Sequence, residues 1–474
     1  MDLKASRGWF VFGGFRPIVL AAYVPERGGL CLGVDGMESA QRGASSFWGM
    51  YAGEHTAGTE FAIGPLFVAW GVSAFDLLVG LLLGNLLAVL SWRFLTAPIG
   101  TRMRLTLYYH LEQICGRQMV VLYNLANGVA FCFLAGAMVT VSATAVGVPF
   151  ESFRMPTFSD TMPTGVPWCV AVVLIGGVMT FVALRGYGLV ALVGHLAAPW
   201  MFLVFLACGL VTLPKLESLE VSKIWTGIPA EGQPKISFWG VVFFSWFCNA
   251  AMHVGMSDLS IFRFARKSSY GWASAAGMYL GHYVAWVAAS LLFALALQQE
   301  GAGASSAPGP MVYAATGWAG LLCVIIAGWT TANPTIYRAG LAFQSLFPRM
   351  ARSTGTVVAG VLCTVAGLFP AFAMKLLDFV GIYGTVLAPV GAIILVDFYL
   401  AKRLGLIPLW AAATGKGFNL AALLAWLIPI GIGAYFYLVR DVFASFLTLP
   451  AYLLTGVLFV VLSRLLQGRV RAGG

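Results

Sequence analysis

Charge is what this 474-residue sequence has least of: Asp, Glu, Lys and Arg make up 10% of it, against 60% hydrophobic residues, and the mean hydropathy is +0.87. Soluble domains carry about 25% charged residues, so a water-soluble enzyme or binding module is excluded. Histidine is scarce too, five in all. The five are scattered and form no zinc-spaced cluster, and the chain has neither a phosphate-cradling glycine loop nor a nucleophile elbow. A membrane-embedded enzyme therefore has no visible catalytic constellation. Cysteine occurs eight times without a CxxC pair. Cys132, Cys169, Cys208, Cys248, Cys323 and Cys363 fall within apolar runs and read as small buried side chains, not as disulfides or metal ligands.

What is abundant is apolar length. Crossing the hydrocarbon takes about 20 apolar residues per helix. Twelve segments qualify: 47–71, 74–97, 118–148, 166–186, 188–214, 236–257, 270–298, 313–333, 355–374, 376–401, 418–438 and 444–466. They leave little chain for a soluble domain. The net charge of +10 suggests nucleic acid until its distribution is read. With the N-terminus inside, 22 of the 28 Lys and Arg fall on inner segments, which is the positive-inside bias. Both termini are then expected in the cytoplasm, the chain in the cell (inner) membrane, and the basic residues against lipid headgroups.

Residues 1–46 fit this pattern poorly. Trp9–Val24 is interrupted by Arg16 and Pro17, is too short to span, and lacks a small-residue cleavage site, so it does not read as a secretory signal. Met37 opens a polar lead, MESAQRGASS, directly before the first segment. The expectation is a cytoplasmic segment over 1–46, with 1–36 a loose tail or upstream of a start at Met37. Residues 467–474 form a second cytoplasmic tail.

Two segments carry polar residues that an apolar span does not explain. The first contains YAGEHTAGTEFAIG, Tyr51 to Gly64, with Glu54, His55 and Glu60 beside Gly53 and Gly58. A charged group at a helix centre costs roughly 2.5–3.5 kcal/mol on insertion scales. A helix broken at glycine and lining a polar cavity accounts for both features. The alternative is that Glu54 and His55 snorkel to the interface, which Glu60, deeper by six residues, does not share. In the sixth segment, Phe244 to Ser260, the apolar run gives way to Asn249, His253, Gly255 and Asp258, and a basic turn follows at Arg263–Lys267. Paired interruptions in corresponding positions point to an inverted-repeat transporter. A channel would not need them.

On that scheme the third segment corresponds to the eighth, which ends in AGWTTANPTIY, Ala327 to Tyr337. Trp329, Thr330, Thr331, Asn333 and Thr335 offer hydroxyls and an amide, and Pro334 is expected to break or kink the helix. Such a constellation suits a small cation or polar solute. The alternative is that the hydroxyls bond back to their own helix and Pro334 marks a membrane exit. Elsewhere the signals are weaker. Gly84–Leu87 in the second segment reads as packing, and the following loop, with Arg93, Arg102, Arg104, His110, Glu112 and Arg117, as a solvated cytoplasmic face. The third segment presents Asn124, Asn127, Phe131 and Phe133, with small residues from Ala135 to Ala137. Arg185 and His195 are isolated. Gly301–Pro310 reads as an outer loop, and Pro389, Gly391 and Asp397 interrupt the tenth segment.

Three stretches together resemble the nucleobase:cation symporter-1 family, which includes cytosine permeases and the hydantoin transporter. WTTANPTIY in the eighth segment is similar to the cytosine permease branch. LAPVGAIILVDFYLAKR in the tenth resembles the family's P-x-x-G and D-[FY] signature, and Gly71–Leu87 its first hairpin. The likeness runs from about Phe47 to Leu466. It implies an all-α polytopic membrane protein of twelve transmembrane helices, a five-plus-five inverted repeat (LeuT-like, APC superfamily) with two extra C-terminal helices. Repeat one would cover 47–214, repeat two 236–401 and the extra helices 418–466 within a transporter domain of 47–466.

The resemblance further implies alternating access, import of a nucleobase or related planar nitrogen heterocycle (cytosine, a purine, a hydantoin-like compound), and no enzyme activity. It implies no cofactor but a coupling ion, Na+ or H+, a small-molecule substrate, no nucleic acid and function as a monomer. Carried over by residue, cation ligands would be Ala327 (carbonyl), Thr330 and Thr331 (hydroxyls), and His55 and Gly58 (carbonyls). Substrate would meet Thr59, Phe131, Trp246, Asn249 and Asn333, stacking between aromatics of the third and sixth segments, and also Glu60, which is singled out by the cost of an acid at that depth and not by the family. The chain departs from the family where Phe131 stands at a tryptophan position, Ala135 at a glutamine position and Ile336 at an asparagine position. SDLSIFRFA likewise replaces the usual D-F-[ST]-R-[FY], and Glu60 is unusual. A transporter of a vitamin or amino acid with the same fold is the second reading.

Overall fold

A computed structural model of the protein describes residues 41–150, 156, 160–217, 227–229, 231–301, 304, 306–347, 349–371 and 376–467. The readings placed on Trp9–Val24 and Met37, and the tail beyond 467, lie outside the described residues. So does part of the Gly301–Pro310 loop, whose last residues open a helix.

In chain order, the first segment is two helices, α1 (Ala44–His55) and α2 (Glu60–Ala69). The second is α3 (Ala74–Ser91), which passes through a π turn at Trp92–Thr96 into α4 (Ala97–Met103). A short helix, α5 (Leu107–Cys115), leads to α6 (Arg117–Val146), α7 (Val166–Leu184) and α8 (Tyr187–Glu217). The sixth segment is broken like the first, into α9 (Phe238–Phe247) and a single turn, α10 (Leu259–Phe262). The seventh begins with a 3₁₀ turn at Ser268–Ala273 and a π stretch at Ala276–Tyr283 before α11 (Val284–Glu300). Then come α12 (Pro308–Thr316), α13 (Trp318–Leu346), α14 (Arg352–Gly367), α15 (Leu376–Leu387) and α16 (Pro389–Leu395). After a π turn at Val396–Leu400, α17 (Trp410–Thr414), α18 (Leu420–Arg440) and α19 (Ala444–Leu466) complete the chain.

Among the described residues, nine helical stretches are long and apolar enough to cross a bilayer. The twelve-segment reading is thus not reached by length alone. Its other three members are the α1–α2 pair, the α9–α10 pair and α14, which has 16 residues. Several starts are fixed by side chains that accept a bond from a free helix N–H: Ser73 from Asp76, Ser237 from Gly240, Asn419 from Ala422. The core lies where α6 and α13 run against each other. By contrast, α18 and α19 pair at the rim and leave Leu438, Val457 and Leu465 exposed, as lipid-facing helices do.

The eighth segment departs from expectation. It does not break at Pro334 or end at 333; α13 runs on to Leu346. A proline inside a helix costs about 3 kcal/mol, but hydroxyls knit the turns around this one. The Thr330 and Thr331 hydroxyls lie 3.1 and 3.0 Å from the Ala327 carbonyl, and Thr335 donates to that of Thr331 at 3.0 Å. Burial of the helix against α6 and α14 offsets what remains. Arg338, read as one of the inner basic residues, is consequently fully buried within it.

Candidate functional site

The first break forms because α1 terminates itself. The Thr56 hydroxyl and N–H both return to the Ala52 carbonyl, at 2.6 and 3.0 Å. The chain then passes through Gly58, where a Cβ would stand 2.9 Å from the Val324 carbonyl and 3.2 Å from the Gly328 nitrogen of α13, so glycine permits the contact. Glu60 opens α2 in its first turn, where the helix dipole favours a negative side chain. The second break runs from Cys248 to Asp258 in a series of turns, with Met256 at φ 68°. Here Gly391 of α16 lies so close that a Cβ would overlap the Val254 carbonyl, a physical reason for the glycine of the P-x-x-G stretch.

The two breaks meet at a cavity of about 50 Å³. Glu54, His55, Thr59 and Glu60 line it from the first break and Cys248, Asn249 and Met252 from the second. His282 and Trp286 of the seventh segment, Thr331 and Thr335 of α13, and Leu134 and Met138 of α6 complete most of the wall. A larger hollow of about 420 Å³ between α1 and α8 includes the exposed Trp48 and Leu203 and is almost wholly apolar, so it offers no comparable chemistry.

On the α13 side of the cavity, oxygens converge. Thr331 Oγ1 lies 2.6 Å from the Glu54 carbonyl and 3.0 Å from that of Ala327, and Thr330 Oγ1 lies 3.1 Å from the latter. A hydroxyl has one proton to donate, so Thr331 satisfies only one of its two carbonyls. Hard oxygens at the C-terminal, negative end of α1 suit a small cation.

Beside them sits an ion cluster that is closed to water. Arg338 meets Glu54 Oε1 at 2.5 Å and Oε2 at 3.1 Å, and Asp258 Oδ1 at 2.6 Å. Asp258 Oδ2 accepts from the Tyr51 hydroxyl and Trp92 Nε1, each at 2.7 Å. The alternative in which Glu54 and His55 snorkel to the interface is not met: both are buried, 3% and 4% exposed. A carboxylate with an arginine partner inside the bundle has no need to reach for water.

Glu60 has a different environment. Trp286 Nε1 donates to its Oε2, and His282 Nε2 stands 3.6 Å from its Oε1. The His282 ring stacks on Trp286 at 4.5 Å and meets His55 edge-on at 4.9 Å. Asn249 Nδ2 lies 3.4 Å from His282 Nε2. Among the described residues no Lys or Arg pairs with Glu60, and His55 Nε2, also in the cavity wall, has no hydrogen-bond partner.

Of the residues expected at the site, Glu60, Thr59, Asn249, Thr331 and His55 line this cavity. Ala327 and Thr330 adjoin it through Thr331's carbonyl partner, and Gly58 packs on the same helix. The His55 carbonyl lies instead against Gly281 of the seventh segment. Three others stand apart from the lining. Phe131 is fully buried, edge-on to Tyr383 at 5.9 Å. Trp246 stacks on Phe247 and donates to the Ser91 hydroxyl at 3.1 Å. Asn333 is buried with neither amide atom bonded among the described residues. Sequence reasoning missed His282, Trp286, Trp92 and Arg338. The one available signal was local: His282 and Trp286 lie one turn apart in an otherwise apolar run. In the structure, π stretches, which recur at functional sites, hold His282 and Trp92.

No protein-family model and no curated protein matches the chain. Solved structures do match. Mhp1, a nucleobase-cation-symport-1 family transporter in a closed conformation with bromovinylhydantoin bound, aligns with a TM-score of 0.69 and 16% identity over 90% of this chain and 93% of its own. Mhp1 in its inward-facing conformation gives 0.63 and 16% over 90% and 92%. A Na+-coupled sialic acid symporter in a substrate-bound outward-open state gives 0.62 and 13% over 91% and 92%. At identities this low the TM-scores show the fold alone: the chain has the LeuT-like fold shared by these structures, and its long apolar helices make it a multi-pass membrane protein. The family likeness drawn from the eighth and tenth segments meets a solved member of that family among the structural neighbours.

Proposed function

We propose that the protein is a secondary active symporter that imports a small planar nitrogen heterocycle with a cation by alternating access. The observation that carries this reading is the convergence of both helix breaks on one polar cavity, with the α13 oxygens on its wall. The cation is held by the Ala327 carbonyl and the Thr330 and Thr331 hydroxyls, with main-chain oxygens of the first break: that of Glu54, and the one expected at Gly58. Glu60, Thr59 and Asn249 face the substrate, with His282 and Trp286 as additions to the expected set. The cavity is far smaller than the roughly 300–1,000 Å³ of a ligand pocket, so this conformation is a closed one, and binding requires the breaks to move apart.

The membrane is the cytoplasmic membrane, with both termini inside, and the substrate class is that of the nucleobases and hydantoins. The second reading is a vitamin or amino-acid transporter, since the same fold serves a substrate other than a planar heterocycle in the sialic acid symporter. A thermal-shift screen of nucleobases, hydantoins, vitamins and amino acids, with and without sodium, separates them. Stabilisation by a heterocycle that grows with sodium is the expected result, and stabilisation by an amino acid or vitamin alone overturns the substrate class.

A further inference from the structure

The sequence-based site does not include Arg338, yet this side chain joins the three elements that surround the cation oxygens. It is fully buried, and its guanidinium takes Glu54 from the end of α1 and Asp258 from the end of the second break. Thr331 and Arg338 are seven residues apart on α13, two turns along one face. Glu54 spans that interval. Its main-chain oxygen meets the Thr331 hydroxyl at 2.6 Å, and its carboxylate meets Arg338 at 2.5 and 3.1 Å. The last carbonyls of a helix have no partner in their own ladder, so at a break their direction is set from outside. Here the side chain of the same residue is held by a forked contact two turns away.

We infer that Arg338 is the positioning residue of the cation site. By holding the Glu54 carboxylate it fixes the Glu54 carbonyl beside Thr331 and Ala327, and by sharing its guanidinium with Asp258 it ties the second broken segment to the same helix. Lysine cannot replace it, because a point charge lacks the planar fork that engages two carboxylates at once. The inference rests on the cation reading of Ala327, Thr330 and Thr331. Its rival is a cluster that merely holds the bundle together.

The test uses the purified full chain in detergent, with sodium chloride titrated against choline chloride and thermal stabilisation as the readout. Arg338→Lys and Glu54→Gln should raise the sodium concentration for half-maximal stabilisation by about five-fold or more, the lower end of coupling between sites. Asp258→Asn leaves the Glu54–Arg338 fork in place and should shift the sodium midpoint less than either of them. All three variants lower the melting temperature without sodium, so the sodium midpoint, not the melting temperature, decides. If Glu54→Gln fails to fold, the charge-conserving Arg338→Lys against Asp258→Asn carries the comparison. Wild-type midpoints in Arg338→Lys and Glu54→Gln overturn the positioning role. A wild-type protein that sodium does not stabilise contradicts the cation site itself, a separate result.

Discussion

Replacing Thr331 by valine removes one oxygen and nearly preserves the side chain's shape. That oxygen stands 2.6 Å from the Glu54 carbonyl and 3.0 Å from that of Ala327. Hydrogen-bond-strength contacts to charged groups contribute about 1.5–3 kcal/mol. At 1.4 kcal/mol per factor of ten, the sodium midpoint should rise roughly ten- to hundred-fold. Thr140→Val is the matched control. Thr140 is also buried and its hydroxyl donates to the Gly367 carbonyl at 2.8 Å, away from the break. Its loss should cost about 1 kcal/mol of stability and leave the sodium midpoint alone. Sodium titrations of thermal stability, and of uptake into vesicles, read both variants on one scale. An unchanged midpoint in Thr331→Val refutes the reasoning. So does wild-type uptake that is the same in potassium as in sodium at fixed pH, and proton coupling would then be preferred.

Three further outcomes follow from the packing. Glu60→Gln retains an oxygen for Trp286 but neither charge nor titration; it should leave the protein folded and inserted while lowering substrate affinity about ten-fold, the loss of one charge-assisted bond. Unchanged affinity and unchanged pH dependence of transport would confine Glu60 to holding Trp286 and His282. Phe131→Ala should cost about 3–5 kcal/mol of stability and Phe131→Trp about 1–3, because the ring is fully buried against Tyr383; a tryptophan variant of full stability and tighter substrate binding would return Phe131 to the site as a stacking surface. His110, on α5 outside the spanning helices, is fully buried and its imidazole is pushed down to about 4 by desolvation. A lowered histidine contributes stability that is complete above its unfolded value near 6.5 and is lost as pH falls toward 4. The melting temperature should therefore drop across that window and His110→Leu should flatten the drop, whereas an identical slope in the variant contradicts it.

The broken segments were legible because their signal is local. Glu54, Glu60 and Asp258 cost too much in an apolar run without a cavity or a partner, and Gly58 marks where the chain leaves the helix. Thr330 and Thr331 stood out for the same reason. Arg338 was not legible, since an arginine after Pro334 is indistinguishable in sequence from the inner basic residues that orient a membrane protein. Its partners are 284 and 80 residues away. With both carboxylates supplied from the breaks, its charge is paired inside the bundle, and α13 continues past it. Pro334 misled for a related reason: propensity argues for a break, while hydroxyls in the neighbouring turns and a fully packed helix surface argue against it. His282 and Trp286 lay in a segment without charge, and only the fold brings them to Glu60.

The central claim is that a cation gradient drives a heterocycle inward through the cavity between the two breaks. Purified protein in liposomes, with labelled cytosine, a purine and a hydantoin offered in turn under an imposed inward sodium gradient, tests it most directly. At least one of these should accumulate above its external concentration, and the accumulation should collapse when the gradient is dissipated. Uptake that only equilibrates, or that accumulates none of these compounds under either a sodium or a proton gradient, would contradict the account.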